Sequence, residues 1–300
     1  MIRLAHLSDI HISSASLEWK LRDWLNKRYA AWVNFRWLGR RRRFRDADVV
    51  LERLMADVLV RRPDQIVFSG DATALGFESE MKRAAEMLHV GQSGSVPGLA
   101  VPGNHDYCTR EAAASGLFER YFAPWQTGIR VDSNIYPFAQ QVGHVTLVGV
   151  NSCTGNRWAW DAGGTVDAGQ LQRLRELFKR LEPGPRILVT HYPICLSNGK
   201  PETMARGLRN LAELVEVANE GGVGLWLHGH RHHAYFFQEP PGAPFPVVCT
   251  GSATQNDLWS YGDCVIEGTL CRIQRRLYDP GRREFVDGEA FDVRLRDAGH

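Results

Sequence analysis

No two of the six cysteines in this 300-residue chain stand at CxxC spacing: Cys108, Cys153, Cys195, Cys249, Cys264 and Cys271 are scattered. A disulfide framework and a thiolate zinc cage are both excluded by that pattern, and buried thiols in a reducing, cytoplasmic setting are expected. No secretory leader is expected, since Met1 runs straight into IRLAHLSDIHI. No apolar run reaches the roughly 18 residues of a spanning helix, so any membrane contact is expected to be peripheral, at the inner face of the cytoplasmic membrane. Internal repeats, low-complexity tracts and linkers are missing, so residues 1–300 are expected to form one domain. Net charge is only +2, too little to turn the whole surface into a polyanion trap.

What is present is an ordinary globular composition, 44% hydrophobic and 23% charged, in a chain long enough to bury a core unaided. Short apolar runs at 2–9, 65–71, 98–104, 145–151, 186–191, 224–230 and 246–252 each end in a polar or glycine-rich turn and predict buried strands. Helical patterns at 48–61, 78–90, 110–121, 167–181 and 203–219 alternate with them, which predicts an α/β fold. Residues 263–279 predict antiparallel strands that complete a second sheet, and 12–47, 122–144, 152–166 and 192–202 are expected as insertions around the strand ends.

The polar residues at those strand ends form one set: Asp9, His11, Asp71, Asn104, His105, Asp106, His191, His230 and His232. Each alone reads as a turn residue or a buried, hydrogen-bonded histidine. Together they are a mixture of carboxylate, imidazole and amide that suits borderline divalent ions such as Mn, Fe or Zn. In LHGHRHH, His230 and His232 alternate and share a side, which leaves His228 and His233 as support or surface.

The blocks DIH (9–11), GD (70–71), GNHD (103–106), His191 and GHRH (229–232) resemble the five blocks of the calcineurin-like metallophosphoesterase superfamily. That resemblance implies a two-sheet β-sandwich flanked by helices, αββα in layers, with two divalent metal ions, manganese being the first choice. It implies that Asp9, His11 and His232 hold one ion, that Asn104, His191 and His230 hold the other, and that Asp71 bridges them. A hydroxide shared by the pair would be the nucleophile. His105 would be the general acid or a donor to a phosphoryl oxygen, with Asp106 orienting it and raising its basicity. Ala74 stands where members often carry Asp or Asn, so support around the metals is expected to differ here.

The segment KLRDWLNKRYAAWVNFRWLGRRRRF (20–44) carries nine basic residues and three tryptophans against one acid, Asp23. As a helix over 17–38 it would place Leu17, Leu21, Trp24, Leu25, Trp32 and Phe35 on one side, with Arg28 intruding. One reading is a helical insertion or cap (12–47) packed on the core, with Arg40 to Arg43 as a solvated tail. The other is a platform for anionic headgroups and acyl chains. The near-neutral net charge argues against a long nucleic-acid footprint. LSDIHIS followed by WLNKRYAAWVNFRW and a basic run is similar to bacterial metallophosphoesterases that include a UDP-2,3-diacylglucosamine pyrophosphatase of lipid A synthesis. This implies a lipid-linked pyrophosphate as substrate, cleaved to a lipid phosphosugar and UMP. Cyclic-nucleotide phosphodiesterases of the superfamily share DIH, GNHD and GHRH and supply the alternative substrate; a nuclease and a non-catalytic scaffold are the remaining readings. Lys200, Arg206 and Arg157 are candidates to clamp a phosphate, or plain surface charges.

Overall fold

A computed structural model describes residues 1–296. The strands are β1 (Ile2–Leu7), β2 (Gln65–Phe68), β3 (Gly98–Ala100), β4 (Phe138–Val142), β5 (Val145–Gly149), β6 (Arg186–Val189), β7 (Val223–His228), β8 (Tyr235–Phe237), β9 (Val247–Cys249), β10 (Ser260–Glu267), β11 (Leu270–Asp279) and β12 (Glu284–Arg294). The helices are α1 (Lys27–Trp37), α2 (Arg40–Arg43), α3 (Ala47–Arg61), α4 (Glu78–Met87), α5 (Arg110–Ala114), α6 (Leu117–Phe122), α7 (Ala168–Arg180) and α8 (Leu211–Glu220).

Two six-stranded sheets result, ordered β12-β11-β10-β1-β2-β3 and β4-β5-β6-β7-β9-β8. Alternation along the strands stacks them. Ile2, Leu4, Val67 and Leu99 of the first sheet, with Val101 just after β3, meet Leu147, Ile187, Val189, Leu225 and Leu227 of the second in one apolar layer. The alternate residues, Ala5, Leu7, Ile66, Phe68, Val148, Leu188 and Trp226, join a cluster with the helices, including Leu51 and Leu54 of α3 and Leu174 and Leu177 of α7. Each such side chain is worth about 1.5–3 kcal/mol when fully buried, so this two-sided burial dominates the stability.

Each sheet holds a parallel run: β1 with β2 and β3, and β5 with β6, β7 and β9. Their C-terminal ends open onto one site, as in open α/β sheets generally. The strands at 263–279 extend the sheet that β1 begins, because β10 pairs antiparallel with β1.

Three expected helices differ. The 17–38 pattern is a 3-10 turn (Leu21–Leu25) followed by α1, since Asn26 is extended and its side chain accepts from the Arg28 amide at 2.8 Å, capping a new helix. The 110–121 pattern breaks at Gly116, which has φ 63°. Of 203–219 only α8 is helical, because the chain before it pairs with Gly164: Gly164 donates to the Gly207 carbonyl at 3.0 Å and accepts from the Arg209 amide at 3.0 Å.

Candidate metal centre

Five turns carry the candidate residues. Asp9 and His11 follow β1, Asp71 follows β2, Asn104 to Asp106 follow β3, His191 follows β6, and His230 and His232 follow β7. Asp9, His11, Asp71, His230 and His232 all have left-handed backbones, with φ of 53°, 43°, 58°, 72° and 60°. Non-glycine residues seldom sit there, and each costs about 1 kcal/mol or more. The turns approach so closely that two glycines are required. A Cβ on Gly229 would fall on Ser8 Oγ and Asp9 Oδ2, and one on Gly103 would fall on Asp71 Oδ1 and the Asp71 amide.

Around one position, Asp9 Oδ1 lies 3.7 Å from His11 Nε2 and 3.3 Å from His232 Nε2, and the two imidazole nitrogens are 3.1 Å apart. Around the other, His191 Nε2 is 3.2 Å from Asn104 Oδ1, and His230 Nδ1 is 2.9 Å from that oxygen and 3.3 Å from His191 Nε2. Asp71 Oδ2 lies between the groups, 3.6 Å from His11 Nε2 and 3.5 Å from His191 Nε2. Metal bonds of about 2.0–2.1 Å set neighbouring ligand atoms about 3–3.5 Å apart, so these spacings fit shared ions. Asp9 Oδ1 is buried with no hydrogen-bond partner, an arrangement that is costly unless a cation meets it. The donor set therefore fits two divalent ions, with Asp71 at the shared edge.

Buried partners orient the ligands. His11 Nδ1 donates to the Thr73 carbonyl (3.2 Å), His191 Nδ1 to the Ser69 carbonyl (2.8 Å) and His232 Nδ1 to Gln255 Oε1, which leaves each Nε2 lone pair free for an ion. Asp9 Oδ2 accepts from the His230 amide at 2.9 Å, and Asp71 Oδ1 from the His105 amide at 2.7 Å. Three hydroxyls after β9 brace the β1 turn: Thr250 donates to the His6 carbonyl (2.8 Å), Ser252 to that of Asp9 (2.6 Å) and Thr254 to that of Ile10 (2.6 Å). Gln255 and these hydroxyls escape sequence reasoning; their one signal is the turn ending the 246–252 strand run.

The titrating groups bias one another. Burial alone would raise the Asp71 carboxyl, but the His191 and His105 charges hold it far below the usual carboxylate range. Burial lowers His191, yet Asp71 outweighs it and lifts His191 to about 9. Burial and then the His191 charge depress His230 to about 3, and burial and then Arg40 depress His105.

Asp106 does not do what its position beside His105 implies. Its carboxylate accepts from the Ala72 amide (3.2 Å), the Gly103 amide (2.9 Å), and the Thr73 amide and hydroxyl (3.0 Å each). It ties the β2 turn to the β3 turn, while His105 Nδ1 donates to the Ala74 carbonyl at 2.9 Å. Ala74 thus acts through its backbone, and its small side chain, with Leu75 and Phe77, receives Leu17, Trp19, Ala31, Trp32 and Phe35 of the insertion. Arg28 is no flaw in that face. It donates to the carbonyls of Leu75 (3.1 Å) and Gly76 (3.0 Å), pairs with Asp23 (2.8 Å) and stacks over Phe77 (4.3 Å).

The insertion is therefore packed on one side only. Leu21 is 90% exposed, Leu25 92%, Trp37 72% and Leu38 72%. Trp158 and Trp160 from the 152–166 loop stack parallel at 5.1 Å and are also exposed. Leu38 and Trp160 border the same cavity as Asp71, His105 and His230, about 460 Å³ in volume. His228 is buried and His233 exposed, and neither belongs to the ligand groups. All six cysteines are free and buried.

A family model described as calcineurin-like phosphoesterase matches residues 2–234. No curated protein matches the sequence. Among solved structures, a dimetal phosphatase from zebrafish, Danio rerio, aligns over 98% of this chain and 99% of its own at TM-score 0.67 and 14% identity. A purple acid phosphatase from yellow lupin, Lupinus luteus, aligns over 98% of this chain and 53% of its own at TM-score 0.59 and 12% identity. GAP50, the anchor in the inner membrane complex of Plasmodium, aligns over 99% of this chain and 89% of its own at TM-score 0.54 and 13% identity. At these identities the likeness is one of fold.

Proposed function

The chain belongs to the calcineurin-like phosphoesterases, metal-dependent phosphoester hydrolases, and from that premise we propose that it cleaves a lipid-linked pyrophosphate of the UDP-2,3-diacylglucosamine type at a dinuclear site. The observation that carries the dinuclear reading is the convergence of Asp9, His11, His232, Asp71, Asn104, His191 and His230, with the orphaned Asp9 Oδ1 among them. Asp9, His11 and His232 would hold one ion, Asn104, His191 and His230 the other, and Asp71 would serve both. Manganese is the first choice, because oxygen and imidazole donors without thiolate suit it. When bound, two such ions polarise the phosphoryl group and acidify a water to nucleophilic use near neutral pH.

The chain's own part is to position and to move a proton. His105, held through Nδ1 by the Ala74 carbonyl, lines the cavity; burial and Arg40 disfavour its charge, so it serves the leaving oxygen as proton donor once the phosphate anion beside it restores a proton at Nε2. Asp106 keeps the two ligand turns in register. Support for a lipid-linked substrate comes from the mouth, where exposed Leu38 and Trp160 stand beside Arg43 and Arg206. An apolar rim with a cationic flank suits acyl chains below anionic headgroups. Among the described residues no helix is long and apolar enough to cross a membrane, so this reading places the protein at a bilayer surface.

The fold also occurs in a neighbour described as an anchor, so the test reads turnover. Metal-reconstituted protein is assayed on UDP-2,3-diacylglucosamine, cyclic AMP and single-stranded DNA, with and without anionic micelles. Lipid-linked turnover enhanced by micelles and abolished in His191→Ala is expected. Cyclic AMP cleavage indifferent to micelles refutes the lipid reading, DNA cleavage makes the protein a nuclease, and undiminished turnover in His191→Ala removes the dinuclear reading.

A further inference from the structure

The basic run Arg40–Arg43 is not uniformly solvated. Gly39, at φ 90°, turns the chain out of α1, and Phe44 behind the run is buried edge-on against His11 (4.7 Å between ring centroids) and near His232 (5.8 Å). That anchor swings Arg40 inward. Its Nη2 lies 3.4 and 3.5 Å from the two ring nitrogens of His11, and its guanidinium stands 5.9 Å over the Phe44 ring. Since His11 Nδ1 donates to Thr73, only Nε2 could accept from the guanidinium, and at 3.5 Å that contact is a weak one, so most of the Arg40 donors stay open.

Five cationic side chains border the cavity: Lys27, Arg40, Arg43, Arg206 and Arg231. Lys27 is spent on the Asp161 carbonyl (2.6 Å) and Arg231 on Glu202 (2.8 Å). Among the described residues, Arg40, Arg43 and Arg206 have no carboxylate partner within ion-pair distance. The carboxylates that act on Arg40 most, Asp71 and then Asp9, belong to the candidate metal-ligand cluster. A half-buried guanidinium with no acid of its own, at the wall of a site for phosphoesters, calls for an anionic partner.

We propose that Arg40, with Arg43 and Arg206, forms an anion subsite beside the metal ligands that holds the second phosphate of a pyrophosphate, making the enzyme select pyrophosphates over monoesters. This rests on the hydrolase reading above and assigns its specificity to the insertion. In the reaction, a water oxygen bonds the phosphorus at the ligand cluster and the bridging P–O bond breaks. One water proton stays with that phosphate and the other passes to the leaving oxygen or solvent, yielding two phosphomonoesters; the departing one leaves from the Arg40 subsite. The fixed fork of an arginine suits two oxygens of one phosphate.

Calorimetric titration of the metal-loaded protein with methylenediphosphonate and with inorganic phosphate tests this, with metal content and thermal midpoint measured alongside. The wild type is expected to bind the diphosphonate more tightly than phosphate. Arg40→Gln should weaken the diphosphonate about 10- to 100-fold, the worth of charge-assisted hydrogen bonds, while phosphate affinity changes less than about twofold. Arg40→Lys should recover part of the loss. Equal losses for both probes, no loss for either, or a fall in metal content or thermal midpoint in Arg40→Gln overturns the subsite. Failure of the wild type to hydrolyse any phosphoester would instead strike the hydrolase reading, since the contrast between the probes is read without turnover.

Discussion

Replacing Asp106 by Asn separates two roles for this residue, an orienter of His105 and a clamp between ligand turns. Its two oxygens meet four donors: Oδ2 the amides of Ala72 and Gly103, and Oδ1 the amide and hydroxyl of Thr73. An amide side chain serves them least badly with its nitrogen at Oδ1, where the Thr73 hydroxyl can turn to accept from it. The Thr73 amide then loses its acceptor, which costs about 1–3 kcal/mol in a buried setting. The bonds kept at the other oxygen fall from charge-assisted to neutral, at about 1 kcal/mol each. The sum is about 3–5 kcal/mol, and at about 2–4 °C per kcal/mol for a domain of this size the thermal midpoint should fall by roughly 6–20 °C. Because Asp71 and Asn104 sit on the two clamped turns, metal content measured by mass spectrometry should fall as well. An Asp106→Asn protein with an unchanged midpoint and full metal content, but a displaced pH–rate profile, would refute the clamp and restore a direct partnership with His105.

Gly229→Ala should cost metal before it costs fold: its Cβ would fall on Asp9 Oδ2, so loss of the ion held by Asp9, His11 and His232 is expected by metal analysis, and full occupancy would count against the crowding. Arg28→Ala leaves Asp23, whose side chain is 3% exposed, without its ion-pair partner. A loss of about 3 kcal/mol in denaturant unfolding should follow, together with a lower kcat as the loop holding His105 loosens; an unchanged kcat would show that the insertion does not position His105. Glu80 supplies a pH signature away from the metals. Burial lifts its folded carboxyl to about 8 from the ordinary 4.5, against the amides of Phe77 and Leu75. The proton is thus held more tightly in the folded state, and its contribution is complete below about 4.5 and lost as pH rises through about 8, at about 1.4 kcal/mol per pH unit across that window. Thermal midpoints of wild type should therefore fall relative to Glu80→Gln between pH 5 and pH 9 by calorimetry; parallel curves would remove the assignment.

The strand runs and the five blocks of candidate ligands were legible because each is local. A buried strand needs a short apolar run, and a metal ligand at its end needs a particular side chain in the next few residues. Helices 110–121 and 203–219 were over-extended because Gly116 and the pairing of Gly164 with Gly207 and Arg209 override local periodicity. Asp106 misled for a related reason. Adjacency to His105 in the chain says nothing of direction, and in a tight turn consecutive side chains diverge.

The sequence by itself determined the class of chemistry: carboxylate, imidazole and amide in five ordered blocks admit divalent ions and little else. The two-sheet frame was implied by the resemblance those blocks carry, while the apolar runs and intervening helical patterns alone predicted an α/β fold. Only the tertiary structure decided which partners hold the ligands, because the carbonyls of Ser69, Thr73 and Ala74 look alike in any sequence and acquire a role only when a histidine arrives from 30 or more residues away. The same holds for the basic, aromatic insertion. Its composition allowed a cap, a tail or a platform, and the packing of Phe44 on His11 turned Arg40 toward the metal ligands while Arg41 and Arg42 stayed exposed.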